Sequence, residues 1–231
     1  MTNTKQDQRR RRGIYLLPNL LTTGALFAGF YSIVAAIDGN FIRAAGAIYV
    51  AIFLDGLDGR VARMTSTESD FGKEFDSLAD MVSFGLAPAI VTYQWGVERL
   101  AEYGVAWGRV GWLAAFLFTV AAAFRLARFN TTSVSDKRYF EGLPSPSAAA
   151  VIAGMVWVSV VYQIQGLTAI VAGISISVLT GLAMVSGFRY LSFKDFNLSS
   201  RMPFANVLLI PLALIVVALN PPVVLFGFFV V

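Results

Sequence analysis

Long apolar runs separated by short polar gaps recur along the whole 231-residue chain. Most of these runs are long enough for a helix, rising about 1.5 Å per residue, to cross a hydrocarbon core about 30 Å thick. The pattern predicts an all-α, polytopic transmembrane helical bundle of about seven to eight spans. A last stretch, 221–231, is too short to cross alone, and the pattern leaves open whether it spans. The other predicted segments are 19–37, 41–64, 73–95, 109–130, 145–163, 167–188 and 203–219.

The composition supports a membrane protein and limits its chemistry. The chain is 57% hydrophobic and 14% charged, whereas a soluble domain has about 25% charged residues. Because it contains no cysteine and no histidine, a general base must be Asp, Glu, Lys or Tyr. A metal site must be built from oxygen ligands, which favours Mg²⁺, Mn²⁺ or Ca²⁺. The positive net charge suits an anionic membrane surface, and no basic stripe with interleaved aromatic residues indicates nucleic-acid binding.

The basic residues are unevenly distributed among the polar gaps. Residues 1–13 form a basic tail, and no repeat or second domain interrupts 14–231, which predicts a single transmembrane domain. If the tail is cytoplasmic, fifteen of the eighteen Lys and Arg residues lie on the cytoplasmic side. Those left outside are Arg43, Arg99 and Arg109. The positive-inside rule therefore predicts a cytoplasmic N-terminus and a cytoplasmic turn at 64–73.

Four aspartates stand in predicted helices that are otherwise mostly apolar. Asp55 and Asp58 are spaced i, i+3, and Asp76 and Asp80 are spaced i, i+4, so each pair shares a helix face. A short turn makes the two helices antiparallel neighbours, which allows the two faces to converge. Four carboxylates a few ångströms apart would not all stay ionised without a cation. The spacing predicts a site for one or two divalent cations; a structural network with nearby arginines, or an ion path, is the alternative.

The residues between the aspartates favour a phosphorylated ligand. Gly59 and Gly72 lack side chains where a ligand or a neighbouring helix would approach. Arg63 offers a planar fork for phosphate oxygens. A metal, carboxylates and an arginine together are typical of phosphoryl transfer.

The stretch from Asp55 to Asp80 reads Asp-x2-Asp-Gly-x2-Ala-Arg-x8-Gly-x3-Asp-x3-Asp. It resembles, at every position, the signature of the CDP-alcohol phosphotransferase family. Further motifs resemble one branch of that family, the membrane-embedded bacterial phosphatidylserine synthases, and the resemblance covers roughly 14–150. These motifs are Leu-Pro-Asn-Leu-Leu-Thr at 17–22, Phe-Gly-Lys-Glu-Phe-Asp-Ser-Leu-Ala-Asp at 71–80, Phe-Gly-Leu-Ala-Pro at 84–88, Arg-Leu-Ala-Arg-Phe-Asn at 125–130 and Phe-x-Gly-Leu-Pro-Ser-Pro at 140–146.

The resemblance implies an enzyme that transfers a phosphatidyl group from CDP-diacylglycerol to L-serine and releases CMP. It implies two bound ions of Mg²⁺ or Mn²⁺, with Asp80 also as the general base. It implies a homodimer in the bacterial cytoplasmic (inner) membrane, with the active site facing the cytoplasm. The residues that match the metal-binding aspartates are Asp55, Asp58, Asp76 and Asp80. Those that match CDP-diacylglycerol contacts are Gly59, Ala62, Arg63 and Gly72.

Three polar residues outside the signature have two interpretations each. Arg125 and Arg128 lie at the predicted cytoplasmic end of the fourth span. They either bind lipid headgroups and set the topology, or bind a serine carboxylate or lipid phosphate in the site. Asn19 either contacts the nucleotide or caps the first helix, which the sequence predicts to begin at Pro18-Asn19.

Other functions remain compatible with the pattern. Within the family, the acceptor alcohol could be glycerol 3-phosphate or an inositol phosphate, which should require extra basic residues near the site. An intramembrane prenyltransferase also binds Mg²⁺-pyrophosphate through aspartates, but on distant helices, whereas Asp58 and Asp76 lie on successive ones. A cation transporter would need carboxylates near the middle of the bilayer, and these lie towards the cytoplasmic end.

Overall fold

The computed structural model describes residues 3–65, 69–131, 139–187, 189–191, 211–212 and 215–230. These described residues are mostly helical, with the apolar segments of the sequence as the centres of the helices. The α-helices are α1 (Asn3–Ile37), α2 (Phe41–Thr65), α3 (Asp70–Asp80), α4 (Ala87–Trp95), α5 (Val105–Thr131), α6 (Ser145–Val161), α7 (Leu167–Val185) and α8 (Pro221–Val230). A 3₁₀ helix, Val97–Tyr103, separates α4 from α5.

The third predicted span is one continuous helical rod made of three pieces. The side chain of Ser69 caps α3 by accepting a hydrogen bond from the Gly72 amide at 3.0 Å. A π-helical turn, Met81–Leu86, follows directly and leads into α4. Within it, Ser83 is buried and donates a hydrogen bond to the Ala25 carbonyl of α1 at 3.1 Å. Since π-helical turns are rare and often lie at functional sites, its position directly after Asp80 is notable.

Small residues form most of the buried core. α1 packs along α2, α2 packs on α6, and α5 packs on α7. Fully buried alanines, such as Ala45 on α2 and Ala153 on α6, allow the backbones to approach closely. Phe84 of the π-helical turn is completely buried and packs in the same cluster. The many exposed large apolar side chains lie around this core, as expected of helices surrounded by lipid.

Within the described residues, four helical segments are long and apolar enough to cross a membrane: Leu17–Ile37, Asp70–Trp95, Val105–Thr131 and Leu167–Val185. The all-helical bundle of the sequence prediction is therefore confirmed at this coarser level. α2 has 25 residues but carries the charged part of the aspartate motif, while α6 and α8 are shorter apolar helices. The predicted span 203–219 lies largely outside the described residues. Within it, residues 215–219 are described and are helical.

One detail of the sequence prediction is wrong. The first helix does not begin at Pro18-Asn19, because α1 already starts at Asn3 and continues through Pro18. Asn19 therefore lies inside a helix and does not cap one. The described residues also include a short antiparallel strand pair beside the helices, β1 (Tyr139–Glu141) with β2 (Arg189–Leu191), which apolar periodicity does not reveal.

Candidate functional site

Three of the four signature aspartates come together at the facing ends of α2 and α3. Asp55, Asp76 and Asp80 each offer one carboxylate oxygen, and these oxygens all lie within 4.8 Å of one another. The i, i+4 spacing places Asp76 and Asp80 on one face of α3, and that face meets the last turns of α2. The carboxyl groups of Asp55 and Asp80 approach within hydrogen-bonding range of each other. The structure thus brings Asp55 of the first pair together with both members of the second pair.

Asp58 stands beside this group and is held by a residue of α1. It is 5% exposed, and its Oδ2 accepts a hydrogen bond from Thr22 Oγ1 at 2.7 Å. Its charge is close enough to repel those of Asp55 and Asp76. Because Asp58 is not in the closest group of oxygens, the structure separates the four predicted ligands into three plus one.

A cavity of about 200 Å³ opens next to the aspartates, between α1, α2 and α3. Asp58 and Asp76 contribute acidic groups to its wall, and Lys73 contributes a basic one. Asn19 also lines the cavity. This position is compatible with the nucleotide contact that the sequence offered as the alternative to capping. The cavity therefore combines negative charge that suits a cation with a lysine that suits an anion.

The small residues of the signature lie where a ligand would need room. Gly59, Ala62 and Gly72 all line the cavity. A Cβ built on Gly72 would lie 3.1 Å from Ser69 Oγ and 3.4 Å from Asn19 Oδ1, so a larger residue would push α1 and α3 apart. A Cβ on Gly59 would meet no heavy atom within 4 Å, so this position leaves open space instead.

Arg63 is not part of the cavity wall. Its Nε donates a hydrogen bond to the Gly59 carbonyl oxygen of its own helix at 2.9 Å, and its side chain is exposed. The guanidinium group is therefore at the rim of the site, near α2's end, where a basic group complements the helix dipole.

A buried arginine of α5 lies behind the aspartates. Arg125 Nη1 donates a hydrogen bond to the buried Ser145 Oγ at 2.8 Å, and the guanidinium attracts the Asp80 carboxylate. Its buried Nε has no hydrogen-bond partner among the described residues. Arg128 is exposed, one turn further towards the end of α5. Arg125 therefore interacts electrostatically with one member of the aspartate group, Asp80.

A divalent cation fits the donor set. All of the side-chain ligands are carboxylate oxygens, the type that Mg²⁺ and Mn²⁺ prefer. Asp76 Oδ1 is buried and lacks a hydrogen-bond partner in the described part of the chain. A buried carboxylate oxygen without a partner is costly, and a metal ion would satisfy it. The acidic group of Asp55, Asp76 and Asp80 could therefore hold a metal.

Sequence reasoning missed two residues of the site, Thr22 and Lys73. Thr22 is three residues after Asn19 and so lies on the same side of α1. Two polar residues at this spacing in an apolar span are a signal that could have identified this face. Lys73 follows Gly72, and the sequence assigns it no role of its own in the site. In the structure, α3 brings it to the wall of the cavity.

Comparison with known proteins gives consistent matches. The family model described as CDP-alcohol phosphatidyltransferase matches residues 15–186. A Helicobacter pylori protein named CDP-diacylglycerol–serine O-phosphatidyltransferase is 43% identical over 183 residues, which cover 78% of this chain and 74% of the relative. A relative of the same name from Methanocaldococcus jannaschii is 38% identical over 148 residues, 64% of this chain and 63% of the relative. One from Saccharomyces cerevisiae is 36% identical over 146 residues, 57% of this chain and 50% of the relative.

Proposed function

Since this chain belongs to the CDP-alcohol phosphatidyltransferase family, we propose that it transfers a phosphatidyl group from CDP-diacylglycerol to L-serine. The products are phosphatidylserine and CMP, and the chain is an enzyme of phospholipid biosynthesis. The observation that carries this proposal is the convergence of Asp55, Asp76 and Asp80 beside a cavity. Further support comes from the relatives, whose shared name states this donor and this acceptor.

The aspartates hold the divalent metal in this proposal. Asp55, Asp76 and Asp80 are the primary ligands, Asp58 completes the set, and the family resemblance implies two ions of Mg²⁺ or Mn²⁺. When bound, the metal supplies positive charge that offsets the charge of the pyrophosphate and of the leaving CMP. Thr22 fixes the carboxylate of Asp58 through its hydrogen bond.

The cavity takes the nucleotide end of CDP-diacylglycerol. Gly59 and Ala62 leave space on the α2 side, and Gly72 keeps α3 close to α1. Lys73 faces this space and binds pyrophosphate oxygens, and Arg63 binds them from the rim. The acyl chains then lie among the exposed apolar side chains of the bundle.

Asp80 is the general base for the acceptor. It takes the proton of the serine hydroxyl, whose oxygen attacks the phosphorus that carries the diacylglycerol. The bond between this phosphorus and the oxygen of CMP breaks, and CMP leaves. A positioned base typically contributes about 10²–10⁴ in rate. Asp80 suits the role because it belongs to the aspartate group and also faces the Arg125 side.

Arg125 binds the carboxylate of the acceptor serine. Its guanidinium is held by Ser145 and attracts Asp80, so a carboxylate bound there places the serine hydroxyl near the base. The free Nε supplies a further donor for it. Arg128, at the exposed end of α5, binds lipid headgroup or phosphate oxygens.

The orientation and assembly are also part of the proposal. The distribution of Lys and Arg supports a cytoplasmic N-terminus and a site facing the cytoplasm of a bacterial inner membrane. About seven to eight spans would include α2, α6 and the segment before α8, beyond the four long apolar helices. The family resemblance implies a homodimer.

An acceptor screen tests this function. Purified protein receives CDP-diacylglycerol, Mg²⁺ or Mn²⁺ and one alcohol at a time: L-serine, glycerol 3-phosphate or inositol phosphate. We expect CMP release and a phosphatidylserine product with L-serine alone, and no release by Asp80→Asn above about 1% of the wild-type rate. Faster turnover with a phosphorylated alcohol would reassign the acceptor, and no CMP release with any alcohol would refute the transferase.

A further inference from the structure

A second cavity, of about 270 Å³, lies at the other end of α2 from the aspartates. Phe41, the first residue of α2, lines this cavity, and Asp58 follows it by seventeen residues on the same helix. At about 1.5 Å per residue this separates the two places by roughly 25 Å. The second cavity is thus near the opposite surface of the bundle, and its chemistry does not depend on the transferase activity.

The floor of this second cavity offers hydrogen-bond donors that nothing in the described chain satisfies. Ser159 of α6 is only 7% exposed, yet its Oγ lines the cavity and has no hydrogen bond to any group in the residues described above. Gly166 precedes α7 without a side-chain cap, so the first amides of α7 lack a capping acceptor. An uncapped helix N-terminus, and a serine without a hydrogen-bond partner on the wall of the same cavity, together indicate an anionic ligand.

The rim carries one charge of each sign. Arg99 and Glu102 both line the cavity and both belong to the 3₁₀ helix Val97–Tyr103. Residues three apart are aligned on one face of a 3₁₀ helix, so these two side chains emerge side by side. In the described part of the chain neither forms an ion pair with another residue. The anion that suits Arg99 would leave Glu102 uncompensated unless the ligand also carries a positive charge.

Aromatic side chains complete the wall of the cavity. Trp95 and Tyr103 line it, and Trp and Tyr are enriched at membrane–water interfaces. Such rings lie at headgroup level, with an apolar body towards the acyl chains and a polar edge towards water. We infer that this cavity binds the headgroup of a phospholipid that carries both a phosphate and a primary ammonium group, of the phosphoethanolamine type.

Each part of that headgroup has a matching partner. The phosphate receives hydrogen bonds from Arg99, Ser159 and the first amides of α7. The primary ammonium donates to the carboxylate of Glu102, which a quaternary ammonium cannot do because it has no N–H. A serine headgroup fits less well, since its carboxylate would face Glu102.

Lipid retention by the purified full-length protein tests this inference. The protein is incubated with dioleoyl phosphatidylethanolamine, phosphatidylcholine or phosphatidylglycerol, and bound lipid is counted by native mass spectrometry. We expect phosphatidylethanolamine to bind about tenfold more tightly than the other two. Arg99→Gln should weaken the binding of all three lipids, and Glu102→Gln should remove only the preference for phosphatidylethanolamine.

Matched controls are available at the same end of the molecule. Arg43→Gln and Glu98→Gln remove the same charges from exposed residues that do not line the cavity, and both should bind lipid as the wild type does. Size-exclusion profiles and thermal melting verify that each variant is folded. Equal retention of the three lipids, or equal losses in cavity and control variants, would overturn the inference. Displacement of the lipid by an equal concentration of inorganic phosphate or free phosphoethanolamine would overturn the assignment to a lipid.

Discussion

Replacing Thr22 with valine tests whether its hydrogen bond positions Asp58, because the change leaves the other residues of the site intact. Valine keeps the branched shape but removes the hydroxyl that donates to Asp58 Oδ2 at 2.7 Å. Thr22 is 4% exposed and Asp58 5%, so water cannot easily replace the lost donor. The carboxylate would then keep its negative charge, repelled by Asp55 and Asp76, with one hydrogen bond fewer.

The expected magnitude follows from the type of bond that is lost. A hydrogen bond to a charged group contributes about 1.5–3 kcal/mol, which corresponds to roughly 10–150-fold in a binding constant. Loss of a residue that orients a metal ligand typically costs about 10–100-fold in metal affinity. We therefore expect the half-saturating concentration of Mg²⁺ or Mn²⁺ for CMP release to rise by about 10–100-fold in Thr22→Val. Because Thr22 does not touch the reacting atoms, turnover at saturating metal should stay within about threefold of the wild type.

The neighbouring threonine provides the control. Thr23 Oγ1 donates to the carbonyl oxygen of Asn19, one turn earlier in α1, and its side chain is exposed. Thr23→Val therefore makes the same chemical change without touching an aspartate. Identical metal dependence of the two variants would refute the positioning role. A fall in turnover at saturating metal, without a change in half-saturation, would also refute it.

Three further predictions address the metal, the base and the topology. Asp55→Asn and Asp76→Asn should each abolish CMP release while the protein still inserts into membranes, and EDTA should do the same to the wild type; full activity in metal-free buffer would exclude the metal site. Asp80→Asn should lower turnover by about 10²–10⁴ even at saturating metal, while CDP-diacylglycerol binding stays measurable; if saturating metal restores the wild-type rate, Asp80 is only a ligand. Single cysteines in place of Ser66 and Val105 should react with a membrane-impermeant thiol reagent from opposite sides of the membrane, and labelling of both from outside would reverse the orientation.

Much of the site could be predicted because local spacing determines it. The i, i+3 and i, i+4 spacings place each pair of aspartates on one helix face whatever the rest of the chain does. A connection of a few residues between α2 and α3 then makes the two faces neighbours. The helices themselves follow from the apolar runs, since only helices satisfy the backbone of such segments in a membrane.

The rest depends on packing between distant segments, which periodicity does not encode. Thr22 is thirty-six residues from Asp58 in the chain, so only the contact of α1 with α2 makes it part of the site. The motif places Arg63 where it could bind phosphate, but its side chain donates a hydrogen bond to the Gly59 carbonyl oxygen of its own helix. The start of α1 was predicted at Pro18-Asn19 because a proline near a polar residue is a usual N-terminal signal. It is wrong here, because the polar residues before Pro18 continue the helix.

The geometry of the aspartate group depends on α1 as much as on the two helices that carry it. Thr22 fixes Asp58 of α2, while Gly29, seven residues and so two turns later on the same face of α1, meets the π-helical turn. A Cβ on Gly29 would lie 2.7 Å from the Ser83 Cα, so this approach requires glycine. Ser83 comes only three residues after Asp80, and its hydroxyl is bonded to the Ala25 carbonyl between these two contacts. One face of α1 thus contacts the segments that carry both aspartate pairs and fixes their positions along the helix axes relative to each other. A motif confined to α2 and α3 cannot do this by itself.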